Sequence, residues 1–391
     1  MIKSQKVLLM AVKASLFSTN PSYPADTNWD EVVKEAKAQT VLGIISPVLP
    51  VHDEGVEQGK ATYMRILYEQ DQLIKLFEEH NIPCVILKGS AAAIYYPKPY
   101  LRAMGDVDIL VPRNRFYEAV ELMESNGYNY THGKIDGVYN KKESRHIGYE
   151  KNGIEFELHH HFSSSGYNID EILEKSIVHR KNYELNGYSF PVLPDIENGL
   201  VLLGHINQHL KNNNLGLRQI IDWAMYVNSA MNKSTWKRFV IVAKRAGLLS
   251  LAVNVTKMCE KHLGLPNTIK WRDQRFDLSD ELLNVIMTDG NFGRREITST
   301  KNNSIKNSLT RINSRGIYNF FKSVGLEKCE LCKEYHCLEL LAFIYGFLWC
   351  SYKGIITLFR SQNVKKQFVD SRYRIELFKK IGIKTWHDKL K

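Results

Sequence analysis

Two aspartates separated by one valine stand at the head of an apolar run, GDVDILV at residues 105–111. Residues two apart in a β-strand point to the same face, so Asp106 and Asp108 would project together while the apolar residues face the core. Two carboxylates this close repel each other unless a cation lies between them. The run therefore predicts a strand with a cation-binding face, with an ordinary solvated acidic face as the plainer alternative.

A second motif, Gly89-Ser90, follows a short predicted strand and begins a short predicted helix. Glycine lets a backbone approach a phosphate closely, and the hydroxyl and the N–H groups at a helix start can donate to its oxygens. This pair predicts a phosphate contact only weakly by itself. The basic side chains of Lys88 and Arg102 could neutralise phosphate charge, or each could pair with a surface acid.

A third carboxylate is predicted on a separate strand, GIEFELH at residues 153–159. Glu155 and Glu157 share one face of it, and we favour Glu157. Oxygen ligation suits Mg²⁺, which usually takes one or two carboxylates together with substrate phosphates. Three carboxylates would complete a site for two metals, one for the attacking oxygen and one for the triphosphate.

These motifs together resemble the nucleotidyltransferase fold of the DNA polymerase beta superfamily. More narrowly, LKG at 87–89, GDVDILV at 105–111 and ELH at 157–159 are similar to a bacterial family of largely uncharacterised nucleotidyltransferases. The likeness includes Asn28-Trp29 at a helix start, Arg145-His146, and a later helical region with His205, Arg218 and Asp222, so it covers about residues 5–265. Two features depart from the pattern: 15 residues separate Ser90 from Asp106, and the third acid is Glu where Asp is common.

The resemblance implies a role for each matching residue. Gly89 and Ser90 would bind the triphosphate, Asp106 and Asp108 would ligate both metals, and Glu157 would be the third metal ligand. Beside these implied roles, we expect His159 to approach the nucleotide or to orient Glu157. The implied cofactors are two Mg²⁺ ions, with Mn²⁺ as a substitute, and the implied substrate is an NTP.

The predicted fold class is α+β, a small mixed-sheet nucleotidyltransferase core preceded and followed by mainly helical regions. Asn-Gly pairs at 152–153 and 186–187 predict two hairpins. We place a helical region at residues 1–80, the catalytic domain at 81–194 and a helical, acceptor-binding domain at 195–391. A capped helix is predicted from Trp29, and a polar loop at 298–314.

For several further clusters of residues we prefer a structural role over a functional one. His205 and His209 have metal-ligand spacing, but packing against the catalytic unit is favoured. Arg218 and Asp222 suit an intrahelical ion pair, with Asp222 as an alternative general base. Cys329, Cys332, His336 and Cys337 could bind zinc, but we prefer free thiols there. The three histidines 159–161 could also bind zinc, but strand alternation would turn the middle one away from its neighbours.

The composition indicates the cellular compartment and the kind of binding partner. The net charge of +11 (53 basic against 42 acidic residues) favours polyanionic partners, so nucleic acid stays possible. Six cysteines in 391 residues indicate a reducing compartment, and we expect a cytoplasmic protein. The N-terminal segment predicts an amphipathic helix with Leu8, Val12 and Leu16 on one face, and the apolar segment 338–359 a buried helix, not a transmembrane one.

The function predicted is transfer of a nucleoside monophosphate from an NTP to an acceptor hydroxyl or phosphate, with release of pyrophosphate. The sequence leaves the acceptor, the nucleotide base and the oligomeric state open. A non-catalytic basic protein that binds nucleic acid, through the +11 charge and the tail at 365–391, is the alternative of a different class. A nucleotidyltransferase toxin acting on tRNA or protein is a third.

Overall fold

The computed structural model describes residues 1–132, 134–135, 138–139, 146–162, 169–266, 277–291, 312, 316–329, 331–332, 338–360 and 364–383, without the side chains of 134–135, 138–139, 327 and 353–368. Arg145, His336 and Cys337 lie outside these residues, as does nearly all of the predicted loop at 298–314. The four-ligand zinc site therefore stays an untested alternative to the free thiols that we prefer.

Helices precede the first strand of the sheet. They are α1 (Lys3–Phe17), α2 (Trp29–Gln39), α3 (Leu42–Ile45), a 3₁₀ turn (Ser46–Val48) and α4 (Gly55–Glu79). The helix predicted at α1 forms and Leu8, Val12 and Leu16 are all buried, but Val7 and Leu9 are buried as well, so its exposed face is narrower than an amphipathic helix would have. The start of α2 is confirmed: the Asn28 side chain accepts a hydrogen bond from the Glu31 N–H at 3.2 Å, as an N-cap residue should.

Strands and short helices then alternate. In chain order they are β1 (Val85–Leu87), α5 (Gly89–Ala93), β2 (Asp106–Leu110), α6 (Phe116–Ser125), β3 (Asn129–His132), β4 (Lys134–Ile135), β5 (Val138–Tyr139), β6 (His146–Lys151), β7 (Ile154–His159), α7 (Ile169–Ser176), β8 (Lys181–Leu185) and β9 (Tyr188–Val192), with 3₁₀ turns at Pro99–Leu101, Arg113–Arg115 and Ile177–His179. The two Asn-Gly hairpins are confirmed. Both residues of each pair have positive φ, the conformation that a tight hairpin turn requires.

Seven strands form one mixed sheet in the order β3-β6-β7-β2-β1-β9-β8, and β4 and β5 pair separately. In the larger sheet β2 pairs parallel with β7 and antiparallel with β1, which confirms the mixed sheet that the fold class predicts. The sequence did not predict β3. All four of its residues are exposed, so it lacks the apolar alternation by which a half-buried strand is recognised.

Helices follow the sheet. They are α8 (Asp195–Lys211), α9 (Leu217–Ala230), α10 (Lys233–Arg245), α11 (Leu249–Met258) with a π turn (Cys259–Leu263), α12 (Ser279–Asp289), α13 (Ile317–Lys328), α14 (Glu339–Arg360) and α15 (Val364–Ile381). Leu8 of α1 and Ala36 of α2 share one hydrophobic core with Leu203 and Trp223 from α8 and α9. The helices before and after the sheet therefore pack on each other, whereas α4 packs through Tyr63 on the sheet itself.

The prediction that the apolar segment 338–359 is a buried helix is wrong. It forms α14, but Leu340, Leu348 and Tyr352 are each about 60% exposed (64%, 60% and 59%). Its contact with α13 combines a close backbone approach, in which a Cβ added at Gly346 would lie 1.9 Å from the Phe321 carbonyl oxygen, with aromatic contacts such as Phe321–Phe347, whose ring centroids are 5.2 Å apart. Among the described side chains of α14, one side is thus covered by α13, while seven apolar residues reach the surface: Leu340, Leu341, Ile344, Tyr345, Phe347, Leu348 and Tyr352.

Among the helices that the structure describes, none combines the length and the apolar character needed to cross a membrane.

Candidate active site

A cavity of about 290 Å³ opens where the ends of β1, β2 and β7 meet the helices α8 and α9. Loops and helix starts at the ends of sheet strands are common places for ligand sites. The cavity is lined by Lys88, Gly89, Arg102, Met104, Gly105, Asp106, Asp108, His146, Glu157, His159, Phe162, His205, Gln208, His209 and Arg218. Seven of the eight residues predicted for the site therefore line one cavity, and Ser90 does not.

Strand pairing brings the acidic residues together. In the parallel register of β2 and β7, Asp108 lies opposite Glu157 and Asp106 lies opposite Glu155. Paired residues on neighbouring strands project to the same side of the sheet, so Asp108 and Glu157 share the cavity wall. Glu155, opposite Asp106, is exposed and is not among the lining residues, so Glu157 is the glutamate of β7 that lies in the cavity with the aspartates.

Cationic and imidazole groups contact these carboxylates. The Lys88 ammonium lies 2.6 Å from Asp108 Oδ1. His159 Nε2 lies 2.9 Å from the same oxygen and 3.2 Å from Glu157 Oε2. The His159 ring is buried, and its Nδ1 lies 3.2 Å from the His161 carbonyl oxygen. His159 thus holds the two carboxylates at a defined separation.

The shifted pKa values follow from these contacts. Burial raises the pKa of Glu157, but the hydrogen bond from His159 and the positive charges of His159, Lys88 and His146 outweigh burial, so the net shift is downward. Burial lowers the pKa of His159, yet its bonds to Asp108 and Glu157 raise it overall. The pKa of Lys88 is raised in the same way, against its burial, by the three acidic residues of the cavity. The site stabilises Glu157 in its charged form.

The donor set fits a divalent cation. The nearest ligand atoms of Asp108, Glu157 and His159 all lie within 4.8 Å of one another, and Asp106 lines the same cavity. Carboxylate oxygens are the ligands that Mg²⁺ and Mn²⁺ prefer. A cation at this place would take over the charge neutralisation that Lys88 and His159 supply to Asp108.

The turn from β1 into α5 carries unusual backbone angles. Lys88 has φ of 51° and Gly89 has φ of 26°, and a positive φ is uncommon for a residue that has a side chain. Gly89 lines the cavity, as expected of a residue that brings backbone close to a phosphate. The Ser90 hydroxyl behaves differently: it is buried and donates to Gln70 Oε1 at 2.5 Å.

Arg102 links the sheet to the helices behind the cavity. Its Nε and Nη2 each lie 2.7 Å from an oxygen of Asp222, whose Oδ1 also accepts from the Tyr96 hydroxyl at 2.7 Å. The predicted Arg218–Asp222 pair is thus replaced by Arg102–Asp222, because the segment after the 3₁₀ turn Pro99–Leu101 brings a second arginine to the aspartate. Arg218 instead donates to the Ala103 carbonyl at 3.2 Å, and burial with the nearby Arg102 charge lowers its pKa to about 10.

The histidines divide between the cavity and the core. His205 and His209, for which we preferred packing over the metal binding that their spacing suggests, are buried and also line the cavity, with their Nε2 atoms 2.6 Å apart. His160 points away from His159 and packs on Phe116 with 4.7 Å between ring centroids. The alternation expected for the three histidines holds for His159 and His160 only, because β7 ends at His159 and the His161 ring lies 4.2 Å from the His160 ring. The sequence did not indicate His132, which lies on the unpredicted strand β3. Its Nε2 is 3.2 Å from the Nε2 of His146 on β6.

Comparisons with known proteins match this chain to one family and to solved structures. A family model described as "Uncharacterised nucleotidyltransferase" matches residues 25–264. The solved antibiotic-resistance factor ANT(2'')-Ia is 14% identical over 50% of this chain and 99% of its own, with a TM-score of 0.31. An antigenic nucleotidyltransferase-like protein from Paracoccidioides brasiliensis is 13% identical over 49% of this chain and 92% of its own, with a TM-score of 0.29. A search of curated proteins returned no match.

Proposed function

This chain belongs to the family of uncharacterised nucleotidyltransferases, and on that premise we propose that it transfers a nucleoside monophosphate from an NTP to an acceptor hydroxyl or phosphate, with release of pyrophosphate. The observation that carries the proposal is the alignment of Asp108 with Glu157 on paired parallel strands, with Asp106 two residues before Asp108. These three carboxylates face a cavity whose other walls carry basic side chains. Such an arrangement suits a charged triphosphate bound with its metal ions.

Asp106, Asp108 and Glu157 are the proposed ligands of two Mg²⁺ ions, for which Mn²⁺ can substitute. Bound metal would polarise the phosphate oxygens and favour the ionised acceptor oxygen. His159 bonds to both Asp108 and Glu157, so we assign it the positioning of these carboxylates. The contribution of the protein is then mainly orientation and charge, as in other phosphoryl-group transfers.

Phosphate binding is assigned to backbone and basic groups of the same cavity. Gly89 brings the start of α5 to the cavity wall, where its N–H groups can donate to phosphate oxygens. Lys88 and Arg218 line the cavity and supply positive charge. Arg102 lines it too, but its bidentate pair with Asp222 makes it primarily an anchor between the sheet and α9. The helices α8 and α9 bound the side left for the acceptor.

To test this, the protein is incubated with a cell extract and an α-³²P-labelled NTP, for each of the four bases in turn. The radioactivity transferred to the small-molecule, RNA and protein fractions is then measured. Wild type should transfer label only with Mg²⁺ or Mn²⁺ present. Asp108→Asn and Glu157→Gln should lose at least about a hundredfold in rate, as when transition-state charge stabilisation is removed. Glu155→Gln is the matched control, because it lies on the same strand two residues away and is exposed.

Two outcomes would contradict the proposal. Transfer at the wild-type rate by Asp108→Asn would show that the chemistry lies elsewhere. If wild type binds nucleotide but labels no fraction, with any of the four bases and either metal, the protein would be a nucleotide-binding protein and not a transferase.

A further inference from the structure

Beside the carboxylate site lies a second group of ligand atoms that involves two histidines. His132 Nε2 on β3 lies 3.2 Å from His146 Nε2 on β6. His146 Nε2 in turn lies 3.5 Å from Glu157 Oε1. The three ligand atoms all lie within 4.8 Å of one another. Two imidazole nitrogens and one carboxylate oxygen thus converge on one point.

The backbone around His132 makes this convergence possible. In the ladder of β3 with β6, His132 pairs with Gly148, and the register shifts between Tyr130 and His132. A Cβ added at Gly148 would lie 2.1 Å from His132 Cε1 and 2.3 Å from its Nδ1. Register irregularities of this kind redirect side chains. Glycine at 148 therefore gives the space in which the His132 ring lies over β6 and reaches His146.

Neighbouring groups orient the ligand atoms. His132 Nδ1 lies 3.0 Å from the Thr131 hydroxyl, which directs the ring so that Nε2 faces His146. Glu157 uses Oε2 for His159 and presents Oε1 to His146. Metal-binding histidines and carboxylates are typically held by such outer hydrogen bonds.

We propose that His132, His146 and Glu157 bind a divalent transition-metal ion, Zn²⁺ above all, at the mouth of the cavity. Zinc is held by histidine nitrogen at about 2.0–2.1 Å in a tetrahedron, which sets neighbouring ligand atoms about 3.3 Å apart. The separations of 3.2 Å and 3.5 Å lie on either side of that value. Imidazole ligands select Zn²⁺-like metals over Mg²⁺, so the donor type separates this ion from those of the carboxylate site.

Three protein ligands leave one tetrahedral position for water or for an oxygen of a substrate. Because His146 and Glu157 also line the cavity, the ion would lie beside whatever enters it. Glu157 would bridge the zinc site, through Oε1, and the carboxylate site, through Oε2. The inference goes beyond the proposed transfer reaction and shares only Glu157 with it.

A hydrogen bond between the two imidazoles is the competing explanation of the 3.2 Å distance. It would need one Nε2 to carry the proton and the other to accept it, and it would bind no metal. Direct metal binding by the full chain separates the two explanations.

The experiment titrates metal-free protein with Co²⁺, whose visible absorption reports a four-coordinate site with nitrogen ligands, and then displaces it with Zn²⁺. Wild type should bind one equivalent of Zn²⁺ at this site. In His132→Asn and His146→Asn we expect the Kd for Zn²⁺ to rise at least tenfold, since loss of even an outer-shell partner costs about 10–100-fold. His80→Asn, an exposed histidine far along the chain, should bind as wild type does.

Two more variants make the result specific. Gly148→Ala keeps both histidines but removes the space for the His132 ring, so it should weaken Zn²⁺ binding as His132→Asn does. Asp108→Asn should keep the Zn²⁺ site, because Asp108 is not one of its ligands. Circular dichroism of each metal-free variant checks that it is folded, and no nucleotide is present, so failure of the transfer reaction would not affect the readout. Unchanged Zn²⁺ affinity in folded His132→Asn, or no stoichiometric binding by wild type, would overturn the inference.

Discussion

Arg102 and Asp222 form a buried, two-bonded ion pair between the sheet region and α9, with both N···O distances at 2.7 Å, although the two residues are 120 positions apart in the chain. Only 3% of the Arg102 side chain and 2% of the Asp222 side chain is exposed. The Tyr96 hydroxyl donates a third hydrogen bond to Asp222. Arg102 lines the candidate active site, whereas Asp222 and Tyr96 do not, so the pair joins the cavity wall to α9.

Removal of one partner of this pair should strongly destabilise the fold. Arg102→Leu leaves the Asp222 charge buried without its partner, which costs about 3–5 kcal/mol in the free energy of unfolding. The double variant Arg102→Leu/Asp222→Leu should recover much of that loss. Urea unfolding of both variants measures the difference. Lys175→Leu, which breaks an exposed pair with Glu171, is the control and should change stability little; an equal loss in both single variants would contradict the prediction.

Lys88 should control how strongly Mg²⁺ stabilises the protein. Its ammonium neutralises Asp108 when metal is absent, so Lys88→Met should lower the melting temperature of the metal-free protein. In this variant Mg²⁺ binds carboxylates whose charge no lysine neutralises. The rise in melting temperature that Mg²⁺ causes should therefore exceed the rise in wild type by a few degrees, on the order of 1 kcal/mol. Differential scanning calorimetry with and without Mg²⁺ measures both quantities. The control Lys175→Met, at an exposed pair with Glu171, should respond as wild type does.

Ser90 should contribute more to stability than to nucleotide binding. Its hydroxyl donates to the buried Gln70 side chain, and Ser90→Ala removes that donor at a cost of about 1–3 kcal/mol. The KM for NTP should stay within about twofold of wild type, since a twofold change is well under 1 kcal/mol. Denaturant unfolding and steady-state kinetics give the two values, with Ser125→Ala as an exposed control. A KM that rises tenfold would instead mean that the hydroxyl turns to the triphosphate.

Acidification should destabilise the fold through His209. Burial and the charge of Lys88 lower the pKa of His209 to about 4, whereas an unfolded histidine titrates near 6.5. Between these values the unfolded chain binds more protons, so stability is fully present above about pH 6.5 and falls as the pH drops towards 4. The contribution is on the order of 3 kcal/mol across that window.

Unfolding free energies measured from pH 7 to pH 4 check this sign. His209→Gln should flatten the pH dependence relative to wild type, and His80→Gln, at an exposed helix end, should not. An unchanged slope in His209→Gln would show that His209 does not carry the effect.

The sequence predicts those parts of the site that depend on neighbouring residues. Alternation along a strand put Asp106 and Asp108 on one face, and the Asn-Gly pairs located both hairpins, because strand periodicity and turn conformation are local properties. The prediction of a buried helix at 338–359 was wrong for a related reason. Its apolar composition is local, but the partner that would cover it is not.

The tertiary structure alone decided which distant groups meet. The parallel register of β2 with β7 selected Glu157 over Glu155 beside Asp108, and the segment after the 3₁₀ turn Pro99–Leu101 replaced Arg218 by Arg102 as the partner of Asp222. It also brought His132, on an exposed strand without a sequence signal, to His146. Side-chain periodicity fixes the face on which a residue lies, whereas strand order and helix packing over long separations determine what that face contacts.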